Sequence, residues 1–274
     1  MSFVKFVHNS FRRINKSLQE NKQPLIILLI YNDYSESYRI LYNMGNLILV
    51  RHGQSLWNKE RRFTGWADIG LTEKGILEAE MAGRLIKELN IEFQKNFTSK
   101  LKRAINSLEI ILKVLNKNNS EIIKTISLNE RHYGGLTSLN KDETIEKYGN
   151  KQVNIWRRSF NIPPPSMDSD HPFKNKIEAN LASESLKDTF DRVVPYYIQN
   201  IEPLIASKKN ILIVFHGNSC RSLLKKIFNI SDKKIVELEI PTGNPFLIRF
   251  KQNLKVLDYK YLDEKRAKKV FFNS

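Results

Sequence analysis

Two short apolar runs, each breaking off into a histidine and a glycine, constrain this chain more than any other feature. Leu47-Ile48-Leu49-Val50 ends in Arg51-His52-Gly53, and Ile211-Leu212-Ile213-Val214-Phe215 ends in His216-Gly217-Asn218. Unbroken apolar runs of this length are the mark of parallel strands buried on both faces, and open α/β sheets bind ligands beyond the carboxyl ends of such strands. The two histidines are therefore expected to meet at one sheet edge. Between the runs, Thr72 reads as an N-cap followed by an apolar stripe at Leu77, Met81, Leu85 and Leu89. Thr98 or Ser99 reads as the cap of a second helix, whose stripe is Ala104, Leu108, Ile111, Leu112 and Leu115. That helix carries Arg103 in its first turn, near the positive end of its dipole. Pro163-Pro164-Pro165 and the polar residues to about Ala182 read as a long surface loop, and Leu186, Phe190, Val193 and Tyr197 mark a helix leading to the His216 strand. Residues 245–250 read as a final strand. This alternation predicts an α/β fold: a single domain with a mostly parallel central sheet and helices on both faces.

At 274 residues, 41% hydrophobic and 27% charged, the chain is long and apolar enough for one large core. The net charge of +16 points to anionic partners. Lys and Asn are spread along the whole chain, so the excess reads as surface composition before a nucleic-acid surface, and no nucleic-acid partner is expected. A lone cysteine, Cys220, excludes an intramolecular disulfide and cysteine-rich metal sites, and fits a reducing compartment. The longest apolar run, residues 25–31, falls well short of the roughly 20 residues that cross a bilayer, so no membrane span is expected. Residues 1–19 hold Lys5, Arg12, Arg13 and Lys16 but no acid, a pattern shared with organellar targeting segments. The favoured alternative is that Met44 is the true start. The expected organisation is a 1–43 extension, a 44–262 catalytic domain and a basic 263–274 tail, with no internal repeat and no Gly/Ser-rich linker.

Arg51-His52-Gly53-Gln54-Ser55 sets a potential nucleophile beside a guanidinium, with a glycine that lets backbone approach a ligand. Such a grouping suits phosphoryl transfer, since imidazole attacks phosphorus while Arg neutralises the phosphoryl oxygens. The tripeptide alone is weak evidence. The wider run is much more specific: Arg51 to Asn58, Arg62-Phe63-Thr64-Gly65-Trp66, and Leu71-Thr72-Glu73-Lys74-Gly75 follow in order. In this the chain resembles the histidine phosphatase superfamily. Thr98-Ser99 with Leu101-Lys102-Arg103-Ala104-Ile105, the run Asn129 to Thr137, Leu139-Asn140-Lys141, Ile155-Trp156-Arg157-Arg158-Ser159 and His216-Gly217-Asn218-Ser219 narrow the resemblance to the cofactor-dependent phosphoglycerate mutases. It covers about residues 46–262.

The resemblance implies a phosphoglycerate mutase-like fold and a role for each matched residue. His52 is the expected phosphorylated residue and Glu130 the acid/base that moves the substrate's hydroxyl proton. Arg51, Asn58, Arg103, His216 and the backbone at Gly217 are expected around the transferred phosphoryl group. Thr64, Gly65, Tyr133, Lys141, Arg157, Arg158 and Asn218 are expected to hold the rest of the substrate, and the motif neighbours Gly53, Gln54, Ser55, Arg131 and His132 belong to the same lining. A substrate with two phosphates and a carboxylate gives the distal cations a purpose. The implied reaction interconverts 3- and 2-phosphoglycerate, primed by 2,3-bisphosphoglycerate, with no metal, in a cytoplasmic homo-oligomer, dimer or tetramer. Two competing readings are a phosphatase that lets water take the phosphohistidine, and a non-catalytic binder of phosphorylated metabolites or nucleic acid. Lys141 and Arg157-Arg158 weigh against the first, and the joint presence of His52, Glu130 and His216 against the second. Trp57, Trp66 and Trp156 are read as packing residues. Gly70, Ser138 and Cys220 depart from the family pattern, and the stretch 166–182 is short, which bears on how the site is covered.

Overall fold

The computed structural model describes residues 45–174 and 182–267. The 1–43 extension with His8, residues 175–181 of the central loop and the tail from residue 268 lie outside the described residues. Gly45–Ser274 make up one compact unit of the chain.

The sheet contains β1 (Asn46–Arg51), β2 (Lys95–Thr98), β3 (Ile122–Lys124), β4 (Ile211–Phe215), β5 (Phe246–Phe250) and β6 (Val256–Tyr261), in the order β3-β2-β4-β1-β5-β6. The pairs β3/β2, β2/β4 and β4/β1 are parallel, while β1/β5 and β5/β6 are antiparallel. The helices are α1 (Leu56–Lys59), α2 (Glu73–Lys87), α3 (Lys102–Val114), α4 (Lys141–Tyr148), α5 (Asn150–Arg158), α6 (Leu186–Asn200), α7 (Glu202–Ala206), α8 (Gly217–Phe228) and α9 (Asp232–Ile235). Side chains alternate across a strand, so each central strand feeds two cores. Leu47, Leu49, Ile211, Ile213 and Phe215 pack with Val193 and Tyr197 of α6 and Leu223 and Leu224 of α8. Ile48, Val50, Leu212 and Val214 pack on the other side with Ala82 and Ile86 of α2 and Leu108 and Ile111 of α3. Helices therefore cover both faces, as the apolar runs predict. Each buried aliphatic side chain stabilises the fold by about 2 kcal/mol.

Register brings the histidines together. Leu47 pairs with Ile211 and Arg51 with Phe215, so β1 and β4 end level. The next residues, His52 and His216, leave the sheet side by side, and the His52 amide donates to the Phe215 carbonyl at 2.9 Å.

Several expectations need correction. The stripe Leu77, Met81, Leu85 and Leu89 is not the buried face of α2: Leu77 is 60% and Met81 43% exposed. The helix buries Gly75, Ala79, Ala82, Gly83 and Ile86 instead. Small residues let it lie close to α3, and a Cβ on Gly83 would stand 2.8 Å from Cβ of Val114. Neither Thr98 nor Ser99 caps α3. Leu101 holds the cap position without a side-chain bond, Thr98 ends β2, and Ser99 Oγ accepts from the Leu101 amide at 3.1 Å. Nor is β5 the last strand, since β6 pairs with it along its length. Gly53 also has a packing role that its spacing did not announce. A Cβ there would lie 2.1 Å from the Gly75 carbonyl, and one on Gly75 2.1 Å from the Gln54 carbonyl. The two glycines let the His52 loop cross the first turn of α2 backbone to backbone.

Candidate active site

His52 is buried at the end of β1. Its Nδ1 lies 2.6 Å from the Gly53 carbonyl. A carbonyl only accepts, so Nδ1 carries the proton and Nε2 keeps the lone pair. Burial first, then the nearby cations Arg103 and Arg51, holds His52 well below the usual imidazole range. The ring is thus a neutral imidazole with its orientation set and a lone pair on Nε2. His216 stands beside it, ring centroids 5.0 Å apart at 62°. Its Nε2 meets Ser99 Oγ at 2.8 Å, and burial with Arg103, His52 and Arg51 lowers its pKa as well.

Two guanidiniums flank the pair. Arg103 is almost wholly buried and donates to the carbonyls of Ala67 and Gly65 at 2.9 and 2.7 Å. Burial brings it down to about 10, with Glu130 and Asp68 opposing, which leaves it a cation at neutral pH. Arg51 donates through Nη1 to the Ile240 carbonyl at 2.8 Å. Beside Gly217, at the start of α8, the Arg51 guanidinium and Glu130 Oε2 converge, each within 4 Å of where a Cβ on that glycine would stand. Glu130 Oε1 accepts from the backbone amides of Arg131 and Asn218 at 2.8 and 3.1 Å. One carboxylate oxygen is therefore anchored by two amides, while the other lies on the Gly217 side, where the Arg51 guanidinium also stands.

The distal residues form a second cationic group. Lys141, at the first turn of α4, is lowered to about 8, chiefly by burial and then by Arg157, Arg51 and Arg61, with Tyr133 opposing. Arg131 lies with its guanidinium 4.7 Å from the Tyr133 ring and donates to the Arg157 carbonyl at 2.8 Å. Asn218 Nδ2 donates to Tyr133 Oη at 3.3 Å. Arg157 and Arg158, adjacent in sequence, part company: Arg158 reaches the Glu239 carboxylate at 3.4 Å, whereas Arg157 shares its surroundings with Tyr133 and Arg131.

Five of the nine buried side-chain N and O atoms without a hydrogen-bond partner among the described residues are Arg51 Nε, Thr64 Oγ1, Arg131 Nε, Arg131 Nη1 and His216 Nδ1. Unpaired buried polar atoms are costly. Their concentration among residues singled out by the motifs marks a place built for a polar ligand. Other candidates work within the protein. Ser55 and Asn58 close a reciprocal cap at the start of α1. Gln54 binds Thr72 through its side chain and Glu78 through its amide. The His132 ring accepts from the Gly134 amide through Nδ1. Gly65 has φ +53°, and a Cβ there would press on the Tyr133 amide at 3.0 Å.

Glu184, Arg192 and Arg221 escaped the sequence reading, and Ser99, read there as a cap and part of a matched motif, was given no place beside His216. Arg221 donates to Asn218 Oδ1 at 2.9 Å and lies one helical turn after it, so helix spacing from the His216 motif was a usable signal. Glu184 and Arg192 reach the site from a distant stretch, for which one sequence holds no signal. Among the described residues no group of three or more His, Cys, Asp or Glu is placed to hold a metal ion, and no helix is long and apolar enough to cross a membrane.

A six-stranded α/β sheet that delivers two histidines between guanidiniums defines a phosphoryl-transfer class, and comparison agrees: the chain belongs to the histidine phosphatase superfamily (branch 1), whose family model matches residues 47–260. Its relatives narrow this to the 2,3-bisphosphoglycerate-dependent phosphoglycerate mutases. A protein of that name from Xylella fastidiosa is 48% identical over 230 residues, covering 81% of this chain and 92% of the relative. Another from Porphyromonas gingivalis is 44% identical over 237 residues, covering 83% and 96%. Solved structures at lower identity share the fold. A phosphoglycerate mutase from Bacillus anthracis superposes with a TM-score of 0.57 at 21% identity, covering 80% of this chain and 92% of that one. A putative alpha-ribazole-5'-P phosphatase from Escherichia coli reaches 0.63 at 20% identity, covering 84% and 100%.

Proposed function

We propose that this chain interconverts 3-phosphoglycerate and 2-phosphoglycerate through a phosphohistidine at His52. The observation that carries the reading is the level ending of β1 and β4, which sets neutral His52 beside His216 with Arg51 and Arg103 around them. The names and extent of the relatives support the same reaction. The cationic lining and the unpaired atoms of Arg51, Thr64, Arg131 and His216 suit a ligand with two phosphates and a carboxylate. When bound, 2,3-bisphosphoglycerate supplies the phosphoryl group that primes His52.

The chemistry follows from the placements. His52 Nε2 attacks phosphorus, the P–O bond to the glycerate breaks, and Glu130 gives a proton to the departing oxygen. In the return step the one free hydroxyl of an incoming 3-phosphoglycerate attacks the phosphohistidine, the N–P bond to His52 breaks and Glu130 takes the hydroxyl's proton. Arg51, Arg103 and His216 offset the charge on the phosphoryl oxygens as it shifts. Lys141, Arg131 and Arg157 hold the distal anionic groups while the bisphosphate so formed turns to present its 3-phosphate to His52, whose attack leaves 2-phosphoglycerate. The reading takes the enzyme to be metal-independent, cytoplasmic and a homo-oligomer.

The test is to incubate the protein with 3-phosphoglycerate, with and without 2,3-bisphosphoglycerate and a chelator. Turnover should need the bisphosphate and ignore the chelator, and acid-labile phosphate should map to His52. The His52→Ala protein should transfer nothing. Full activity in that variant, or stable phosphate on a serine, would overturn the mechanism.

A further inference from the structure

The segment Asn129–Arg131–Tyr133 bears the carboxylate at the centre of this reading, yet it belongs to no strand among the described residues. Its backbone is held by side chains instead. The Glu130 carbonyl accepts from Trp66 Nε1 at 2.5 Å and from Arg192 Nη2 at 3.2 Å. Arg192, on α6, also donates through Nη1 to the carbonyls of Ser127 and Asn129 at 2.9 and 3.1 Å. Glu184, just before that helix, holds the same guanidinium from the far side: Oε1 accepts from Nε at 2.8 Å and Oε2 from Nη2 at 2.9 Å. Oε2 also accepts the His132 amide at 2.8 Å, and the Glu184 amide donates to the His132 carbonyl at 2.9 Å. The ion pair is buried, with side chains 15% and 3% exposed, and the guanidinium carbon lies 5.5 Å from the Trp66 ring centroid.

From this geometry we infer that Glu184, Arg192 and Trp66 are positioning residues: a clamp that fixes the backbone of residues 129–132 so that the Glu130 carboxylate stays aimed at the transferring oxygen. The inference rests on the acid/base reading of Glu130. A buried charge pair is a poor source of net stability, because desolvation offsets its attraction. It is a good source of geometry, since a paired, bidentate guanidinium has one low-energy arrangement. Here the fork takes backbone carbonyls on one side and a carboxylate on the other, replacing the ladder a neighbouring strand would provide.

The experiment compares Arg192→Lys, Glu184→Gln and Trp66→Phe with wild type, each alone and combined with Glu130→Gln. Steady-state kcat and KM are measured for the single variants. Phosphoryl transfer to His52 is followed in single turnover with excess enzyme for all of them. Each clamp variant should lower kcat roughly ten- to a hundredfold, the scale of a misplacement of about an ångström, with KM changed less than about threefold. In the Glu130→Gln background the same changes should lower the single-turnover rate less than about twofold, because the group they aim is gone. Trp66→Phe removes one N–H and keeps a ring, so it reads the effect even if the charge variants fold poorly. Equal losses in both backgrounds, or unchanged kcat in Trp66→Phe with Glu130→Gln inactive, would overturn the clamp alone. Full activity in Glu130→Gln by itself would take down the acid/base reading and the clamp with it.

Discussion

At the scale of single residues, the site's chemistry depends on which groups are charged before a ligand arrives. Lys141 is the group closest to a transition under ordinary conditions: burial and its cationic neighbours bring it to about 8. An arriving phosphate or carboxylate favours the ammonium form, so the bound value lies above the free one. Below the free value Lys141 is charged in both states and binding is insensitive to pH. Above it, binding must take up a proton, and affinity falls towards about tenfold per pH unit. The KM for phosphoglycerate should therefore rise as pH passes that value, and Lys141→Arg, whose charge does not titrate, should flatten the rise. A wild-type KM that is level across the range would show that Lys141 does not meet the substrate's charge. His52 supplies the contrast, since the burial and cations that lower its pKa keep the proposed nucleophile neutral as pH falls.

Among the elements, α2 shows how an apolar residue can be misplaced by spacing alone. Leu77 and Met81 repeat as a buried stripe does, yet both face outward, while Ala79, Ala82, Gly83 and Ile86 meet α3 and the sheet. Replacing Leu77 or Met81 by Ser should change stability by no more than about 0.5 kcal/mol. Ile86→Ala, which opens a cavity in the same core, should cost roughly 2–5 kcal/mol. Denaturant midpoints of the three proteins check this, and a large loss at Leu77 would return that residue to an interface. Gly53 and Gly75 belong to the same element's start, where backbone meets backbone. Ala at either position should destabilise by about 3 kcal/mol or more, since neither neighbour is a flexible side chain that could yield.

For the whole molecule, the buried histidines couple the site to the stability of the fold. Burial lowers the pKa of His52 and His216 strongly, and that of His132 less. Each folded value lies below the unfolded one, so the unfolded chain takes up protons first as pH falls. Stability is then full above about pH 6.5 and drains below it, by up to about 1.4 kcal/mol per pH unit for each histidine. Urea unfolding at a series of pH values should show this slope, and His216→Gln should make it shallower. An unchanged slope would mean another group governs acid unfolding. A second prediction concerns the chain's organisation: every motif of the site follows Met44, so deleting residues 1–43 should leave kcat and KM intact. A much weaker grip on substrate in the shortened protein would give the extension a part in the site.

The sequence by itself determined the two buried strands, their histidine ends and the motif residues, because continuous apolar runs and short local spacings are properties of neighbouring residues. It determined the class of chemistry through the ordered motifs from Arg51 to Gly75 and from Thr98 to Ser219, each of them a short run of neighbouring residues. Tertiary structure alone decided which face of α2 is buried, that Lys95–Thr98 is a strand although only one of its residues is apolar, and that Arg158 turns towards Glu239 while Arg157 stays with Tyr133. It also decided what holds Glu130. Arg192 and Glu184 act on a segment more than fifty residues earlier, and a contact across that distance leaves no periodicity, cap or spacing in the chain to announce it.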